Sequence, residues 1–365
     1  MIDKVVYIIG AGFSQPLGLP VMSNFLDKSK EQYFASLKNE EVYPHFKKVF
    51  NTITQMHVAK SYFRTDLSNI EEILSILEMS TELTKKMSSK FFKKYIVDVI
   101  EFYTPKIAIT FDRNSRDWHE HIFGNKELDN LYGCFLLSLF NASLGRDRKY
   151  DYGEEIFPYN FELFHDPKAT YSVITLNYDM ILENYCSYFN NVFKFEDKLS
   201  LIRSNDHNGS GDHPFLIKLH GSVDDGKIIP PTWNKVLIDQ IIKQTWELAY
   251  IKLMEANHIR IIGYSLPITD SYIKYLLKSC VIHTKHMKKI DIICLDDSEN
   301  SVHKRYNAFI DFHNYRFVST KVEEYLKYVY KRRLFEQSPM DRAERSISYN
   351  RLELAHEDFM NEHTA

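Results

Sequence analysis

Five apolar runs in the 365-residue sequence end in residues able to hold or attack a small molecule. VVYII leads into Gly10-Ala11-Gly12-Phe13-Ser14, and the run at 171–176 leads into Asn177-Tyr178-Asp179. FLIKL precedes His220-Gly221-Ser222, IRII precedes Gly263-Tyr264-Ser265, and IDIICL precedes Asp296-Asp297. Glycines let a backbone approach a pyrophosphate, and amides at the start of a helix favour its negative charge. An imidazole, with a reference pKa near 6.5, can take a proton at neutral pH. Each feature alone has a bland counterpart: a tight strand-to-helix turn, a capping Asn, a hydrogen-bonding structural His. The six-residue dinucleotide fingerprint is also incomplete, since the position three after Gly12 is Gln15. The coincidence of five such strand ends is what favours a ligand site.

These residues need strands that all point the same way. The runs at 5–10, 171–177, 215–221, 259–265 and 289–297 are continuously apolar and rich in β-branched residues, as the buried strands of a parallel sheet are. Helical stretches between them, such as 178–190 and 270–287, give α/β alternation. The expected class is α/β: a Rossmann-like parallel sheet with helices on both faces, a large helical insertion and a helical C-terminal extension. Ligands of such sheets bind at the carboxyl ends of the strands.

Residues 31–165 read differently. Ile70, Ile73, Leu74, Leu77 and Leu83 recur near helical spacing, and 90–103 and 128–144 are further apolar helices. We therefore expect residues 1–30 and 166–300 to form a split nucleotide-binding domain, 31–165 a helical insertion, and 301–365 a C-terminal strand/helix extension. The final residues, poor in large apolar side chains, read as a polar tail that is loosely ordered or binds a partner. The run Lys331-Arg332-Arg333 reads as a solvated helix face.

Composition excludes several classes. The net charge of −3 gives no global electrostatic case for nucleic-acid binding. No apolar run approaches the roughly 20 residues of a membrane span, and the N-terminus shows no signal peptide, so a cytoplasmic location is expected. Cys134, Cys186, Cys280 and Cys294 lack C-x-x-C spacing, which argues against structural zinc. No metal is expected.

Taken in order, GAGFS with GLP (10–20), TLNYD (175–179), LHGS (219–222), GYSLPITD (263–270) and CLDD (294–297) resemble the motifs of the sirtuin-like NAD-consuming superfamily. The resemblance covers about half of the chain. Two departures matter: the paired C-x-x-C zinc module of deacetylating sirtuins is missing, and GLP is followed by VMSNF rather than Asp-Phe-Arg. The sequence is closer to the bacterial antiviral-defence branch, which NIEEILSIL (69–77) and IIPPTWNK (228–235) also resemble.

That resemblance implies NAD as substrate and an NAD+ glycohydrolase releasing nicotinamide and ADP-ribose. Asn177 and His220 are the implied catalytic pair, Asn177 orienting water and ribose and His220 holding a ribose hydroxyl and taking a proton. Gly10, Ala11, Gly12, Phe13 and Ser14 would hold the pyrophosphate. Asp179 would orient the loop or the nicotinamide amide. Gly221 would accompany His220, Gly263 and Ser265 would contact the phosphate or ribose, and Asp296 would accept from the adenosine ribose. The branch implies coupling to a HerA-type hexameric ATPase or a short Argonaute, and the aromatic-rich helical insertion, which offers interface area, leads us to expect a homo-oligomer. Two alternatives stay open: a regulatory NAD or ADP-ribose-binding module without turnover, and a protein deacylase or ADP-ribosyltransferase. Among lesser features, His213 with His220 is a poor metal pair, Pro230–Trp233 is a lid or a packed turn, and Asp270 caps a helix or serves the site.

Overall fold

The first strand, β1 (Asp3–Ile9), is apolar without a break from Val5 to Ile9 because both of its faces are covered there. Val5, Tyr7 and Ile9 enter one core and Val6 and Ile8 a second. The computed structural model describes residues 2–36, 43–84, 89–107, 117–146, 149–151, 154–156, 158–163, 167–194, 199–203, 213–229, 240–268, 270–284, 286–337 and 345–364. Pro230–Trp233, read above as a lid or turn, lies outside them.

After β1 come α1 (Ala11–Ser14) and the helices α2 (Phe25–Ala35), α3 (Pro44–Lys60), α4 (Ile70–Thr84), α5 (Lys90–Tyr103) and α6 (Glu127–Leu139). Four strands follow: β2 (Ala142–Arg146), β3 (Lys149–Asp151), β4 (Glu154–Ile156) and β5 (Tyr159–Leu163). The α/β alternation then resumes with β6 (Ala169–Thr175), α7 (Ile181–Phe193), β7 (Ile202–Arg203) and β8 (Phe215–Lys218). A short hairpin, β9 (Gly221–Ser222) and β10 (Lys227–Ile228), precedes α8 (Gln240–Glu255), β11 (His258–Ile262) and α9 (Ser271–Ser279). β12 (Lys289–Ile293), α10 (Ser301–Asn307), β13 (Tyr315–Val318) and α11 (Val322–Lys331) complete the sheet domain. The chain ends in β14 (Leu334–Gln337), β15 (Arg345–Ser348) and α12 (Leu352–His363).

Seven strands form the central sheet in the order β13-β12-β11-β1-β6-β8-β7, every neighbouring pair parallel. The chain leaves β1 to one side for β6 and returns to the other side with β11, so a topological switch point flanks β1. Register sets the site. Ile9 lies opposite both Thr175 and Ile262, so Gly10 and Gly263 leave their strands level with each other. Thr175 lies opposite Lys218, which puts Asn177 and His220 equally far beyond a paired position on adjacent strands.

Helices cover both faces. Trp246, Leu253, Ile273 and Leu276 of α8 and α9 pack against Val6 and Ile8. On the opposite face lies α6 of the insertion, buried from Asp129 through Leu139. Ile70, Ile73, Leu74 and Leu77 of α4 join this core as expected, but Leu83 is 74% exposed, beyond the turns that reach it. The insertion is also not wholly helical. A left-handed Asn141 (φ 49°) ends the apolar stretch after α6, and β2 pairs with β5 on one side and β15 on the other, in a sheet of order β14-β15-β2-β5.

Residues 345–364, part of the polar tail read from the sequence, form a strand and a packed helix. Leu352, Ala355, Phe359 and Met360 of α12 are buried in the main core. A polar chain fixes the same helix. The fully buried Arg260 donates to the Tyr7 hydroxyl (2.8 Å) and to both carboxylate oxygens of Glu353 (2.8 and 2.6 Å). The Tyr7, Tyr325 and His356 groups continue in line (3.2 and 3.0 Å), and His356 Nε2 meets Asp291 Oδ2 at 3.0 Å. With Nε2 donating to Asp291, Nδ1 accepts from the Tyr325 hydroxyl. Removing Glu353 would strand a buried guanidinium, a loss of roughly 3–5 kcal/mol. Asp291, His356 and Glu357 come close enough to suggest a metal cluster. However, Arg316 donates to both Asp291 oxygens and Lys289 to both Glu357 oxygens, so these carboxylates are already matched by cations.

All four cysteines are free and buried, as the sequence suggested. Among the described residues no helix is long and apolar enough to cross a membrane.

Candidate active site

The carboxyl ends of β1, β6, β8 and β11 open into one cleft of about 530 Å³, within the size range of small-molecule and cofactor sites. Gly10, Ala11, Gly12, Asn177, His220, Gly263 and Ser265 all line it. Phe13, Ser14, Asp179, Gly221 and Asp296 do not.

The glycine turn is built for backbone contact. Gly10 N–H donates to Ile262 O (3.0 Å) and Gly12 N–H to Gly263 O (2.9 Å). A Cβ on Gly12 would lie 2.8 Å from Gly263 O, and one on Gly263, whose φ is +64°, 2.3 Å from Phe13 N. The glycines thus serve first to let two backbones touch across the switch point. Ala11 keeps a first-turn amide that meets no acceptor among the described residues, and it faces the cleft. Phe13 is a core side chain (1% exposed) against Tyr132 and Phe135, and the Tyr132 hydroxyl donates to its carbonyl. The insertion therefore buttresses this turn.

Asn177 ties the second strand end to the first. Its Nδ2 donates to Gly10 O and Ser14 Oγ, both at 3.0 Å. Ser14 Oγ in turn donates to Asp179 Oδ2 (2.6 Å), and Asp179 Oδ1 accepts from Ile181 N at 3.2 Å. Of the two sequence-based roles for Asp179, this geometry gives it the loop-orienting one. Desolvation pushes its carboxyl up from the usual range, partly offset by the nearby Lys218 cation. Lys218 holds the same loop from below, donating to the carbonyls of Tyr178 (3.5 Å) and Asp179 and to Glu183 Oε1 (3.2 Å). With Nδ2 engaged, Asn177 Oδ1 is the polar atom left for a ligand hydroxyl or a water.

His220 is 2% exposed, and its Nε2 lies 3.5 Å from Asp270 Oδ2, which also accepts from the Tyr264 hydroxyl at 2.9 Å. Asp270 stands at the N-cap of α9 but makes no side-chain capping bond; it serves the histidine instead. Burial, and then Asp270, hold the Tyr264 phenol well above its usual range, so it acts as a donor. Cys294 also lines the cleft, and burial pushes its thiol up to about 12, which makes it a poor nucleophile at neutral pH.

Two of the sequence-predicted binding residues lie off the cleft lining and have other structural work. Gly221 (φ +85°) shapes the β9–β10 hairpin: a Cβ there would sit 1.8 Å from Lys227 O, and the residue does not face the cleft. Asp296 spends its carboxylate on α10, its oxygens accepting from the amides of Val302 (2.8 Å) and His303 (2.9 Å). Cys294 and Leu295 take the cleft wall at that strand end. Sequence reasoning also missed Asn69 and Glu71, which reach the cleft from α4 and its cap. The sequence marks this segment by its resemblance and by its apolar helical stripe, and an acid in the first turn of an amphipathic helix looks like ordinary helix chemistry.

A level row of strand ends, a backbone-lined glycine turn and a His–Asp pair at a switch point define a nucleotide-type crevice of an α/β protein. Residues 171–315 match the family model of the SIR2-like domain, so this stretch is sirtuin-like. SIR2-like domains use NAD, so the match suggests an NAD-related function. The match includes Asn177, His220, Asp270 and Gly263, while the Gly10 turn and α4 lie outside it. A comparison with curated proteins gave no match.

Proposed function

We propose that the chain is an NAD+ glycohydrolase, cleaving NAD+ to nicotinamide and ADP-ribose. The observation that carries this reading is that Asn177 and His220 line one cleft with the Gly10–Gly12 turn. The bond broken joins the nicotinamide nitrogen to the ribose. The ring is a cation in the substrate and leaves neutral with the bonding electrons, so departure needs no general acid. The barrier lies in positive charge gathering on the ribose, and positioning and fixed electrostatics lower it. The Ala11 amide, at the cleft face of the Gly10–Gly12 turn, takes the pyrophosphate. Asn177 Oδ1 orients a water whose oxygen forms the new bond to the ribose carbon. His220, set by Asp270, holds a ribose hydroxyl and takes the proton.

The missing zinc module and the defence-branch resemblance support a further reading, an NAD-depleting effector of a bacterial antiviral system. Its activity would then be released by assembly or by a partner such as a HerA-type ATPase or a short Argonaute. Incubating the full chain with NAD+, alone and with such partners, and separating the products tests both levels. Nicotinamide plus ADP-ribose without an acyl-peptide acceptor is expected, and Asn177→Ala and His220→Ala should abolish it. A strict acceptor requirement would redirect the reading to deacylation or ADP-ribosyl transfer; bound but intact NAD+ would leave a sensor.

A further inference from the structure

We propose that Glu71 is a catalytic carboxylate of this cleft, brought in by the helical insertion to face the positively charged nicotinamide riboside half of NAD+. The inference rests on the NAD-cleaving reading and adds a residue that the SIR2-like match does not cover.

Among the described residues two carboxylates line the cleft, Glu71 and Asp270. Asp270 is committed to His220 and to the Tyr264 hydroxyl. Glu71 approaches from the insertion, and its backbone is firmly held. Asn69 Oδ1 accepts from the amides of Glu71 (3.0 Å) and Glu72 (3.1 Å), capping α4. Ile70, Ile73 and Leu74 on the same turns are at most 3% exposed. The carboxyl group is therefore presented by an anchored turn rather than by a free loop, as a preorganised charge must be. Glu71 lines the same cleft as Asn177, His220 and Gly263. Burial comes first in raising the phenols of Tyr178 and Tyr264, and the Glu71 charge adds to both. Tyr178 adjoins Asn177, and its ring centroid lies 6.3 Å from that of His220; Tyr264 adjoins Gly263. In this proposal the Glu71 carboxylate stands beside the Asn177–His220 pair of the same cleft, where the glycosidic bond would break.

The chemistry there is cationic throughout. The pyridinium carries the charge before cleavage, and the ribose carbon and ring oxygen gain it as the carbon–nitrogen bond lengthens. Water oxygen then bonds to that carbon, the ring departs neutral, and the water proton passes to His220 or solvent. Glu71 exchanges no atom; its negative charge favours the cation at each stage. A carboxylate there also selects oxidised over reduced dinucleotide, because NADH carries a neutral dihydropyridine.

The test compares full-length wild type with Glu71→Gln, using three probes that are not consumed. They are carba-NAD+, a cationic analogue whose glycosidic bond resists hydrolysis, NADH, and ADP-ribose, which lacks the nicotinamide. By calorimetry the wild type should bind carba-NAD+ about tenfold more tightly than NADH, the scale of one partly screened charge pair. Glu71→Gln should erase that preference and leave ADP-ribose affinity within about twofold, showing an intact fold; NAD+ turnover should fall by about tenfold or more. A preference that survives in Glu71→Gln, or an equal loss of ADP-ribose binding, overturns the role of Glu71 and leaves the NAD reading intact. A wild type that binds none of the three probes sinks the NAD reading, and this inference with it.

Discussion

Asn177→Asp separates what the Asn177 side chain holds from what it orients. The change keeps size and shape but replaces the Nδ2 donor with a second carboxylate oxygen. Two bonds of 3.0 Å, to Gly10 O and Ser14 Oγ, lose their donor. Each is worth about 1 kcal/mol net. The new oxygen also faces the Gly10 carbonyl, and Ser14 can answer it only by abandoning Asp179, to which it donates at 2.6 Å. Another 1 kcal/mol or more follows from that mismatch in a site only 8% exposed. The total of about 3 kcal/mol moves the docked turn roughly two decades toward its undocked form. The Gly12 amide, bonded to Gly263 O at 2.9 Å, reports on this directly. Hydrogen exchange should accelerate at Gly12 and Phe13 by about a hundredfold while β1 and β6 stay protected, and NAD+ turnover should be lost. Asn177→Ala, which removes the bonds without adding a charge, should loosen the turn less. Native exchange rates at Gly12 in Asn177→Asp would refute the claim that this amide docks the turn.

Two further outcomes follow from the same geometry. Gly263→Ala should cost more than about 2 kcal/mol and abolish nucleotide binding, because its Cβ meets Phe13 N at 2.3 Å in a left-handed conformation. Gly18→Ala, left-handed but with nothing within 4 Å, should cost about 1 kcal/mol and keep binding; similar urea midpoints and affinities for the two variants would contradict this. Acid should unlock the C-terminal helix. Burial, then Arg260, lowers the His356 imidazole to about 4 from 6.5. The unfolded chain therefore gains a proton between those values that the native chain refuses. At about 1.4 kcal/mol per unit, roughly 3 kcal/mol of stability present at pH 7 is lost by about pH 4. Asp291 is held low, chiefly by Arg316 acting against its desolvation, so its contribution is lost as pH falls below the ordinary carboxylate range. Urea midpoints should drop across this range and drop less in His356→Gln; a flat profile would disprove the arrangement.

Sequence by itself determined the parallel sheet and the level of its strand ends. Runs such as Val5–Ile9 are apolar on both faces only when both faces are covered, and parallel strands in a common register must release their terminal residues side by side. That logic put Gly10, Asn177, His220 and Gly263 in one place. Tertiary structure alone decided what each does there. Gly12 and Gly263 are small because they touch each other, which no local pattern encodes. Asp296 and Asp270 stand in similar strand-to-helix settings, yet one caps a helix and the other serves His220. Glu71 and the buried face of α12 were invisible for the same reason. An acid in a helical first turn and a short, mostly polar helix acquire their meaning from partners far away in sequence. Only folding supplies the distances and the low dielectric that make such pairings count.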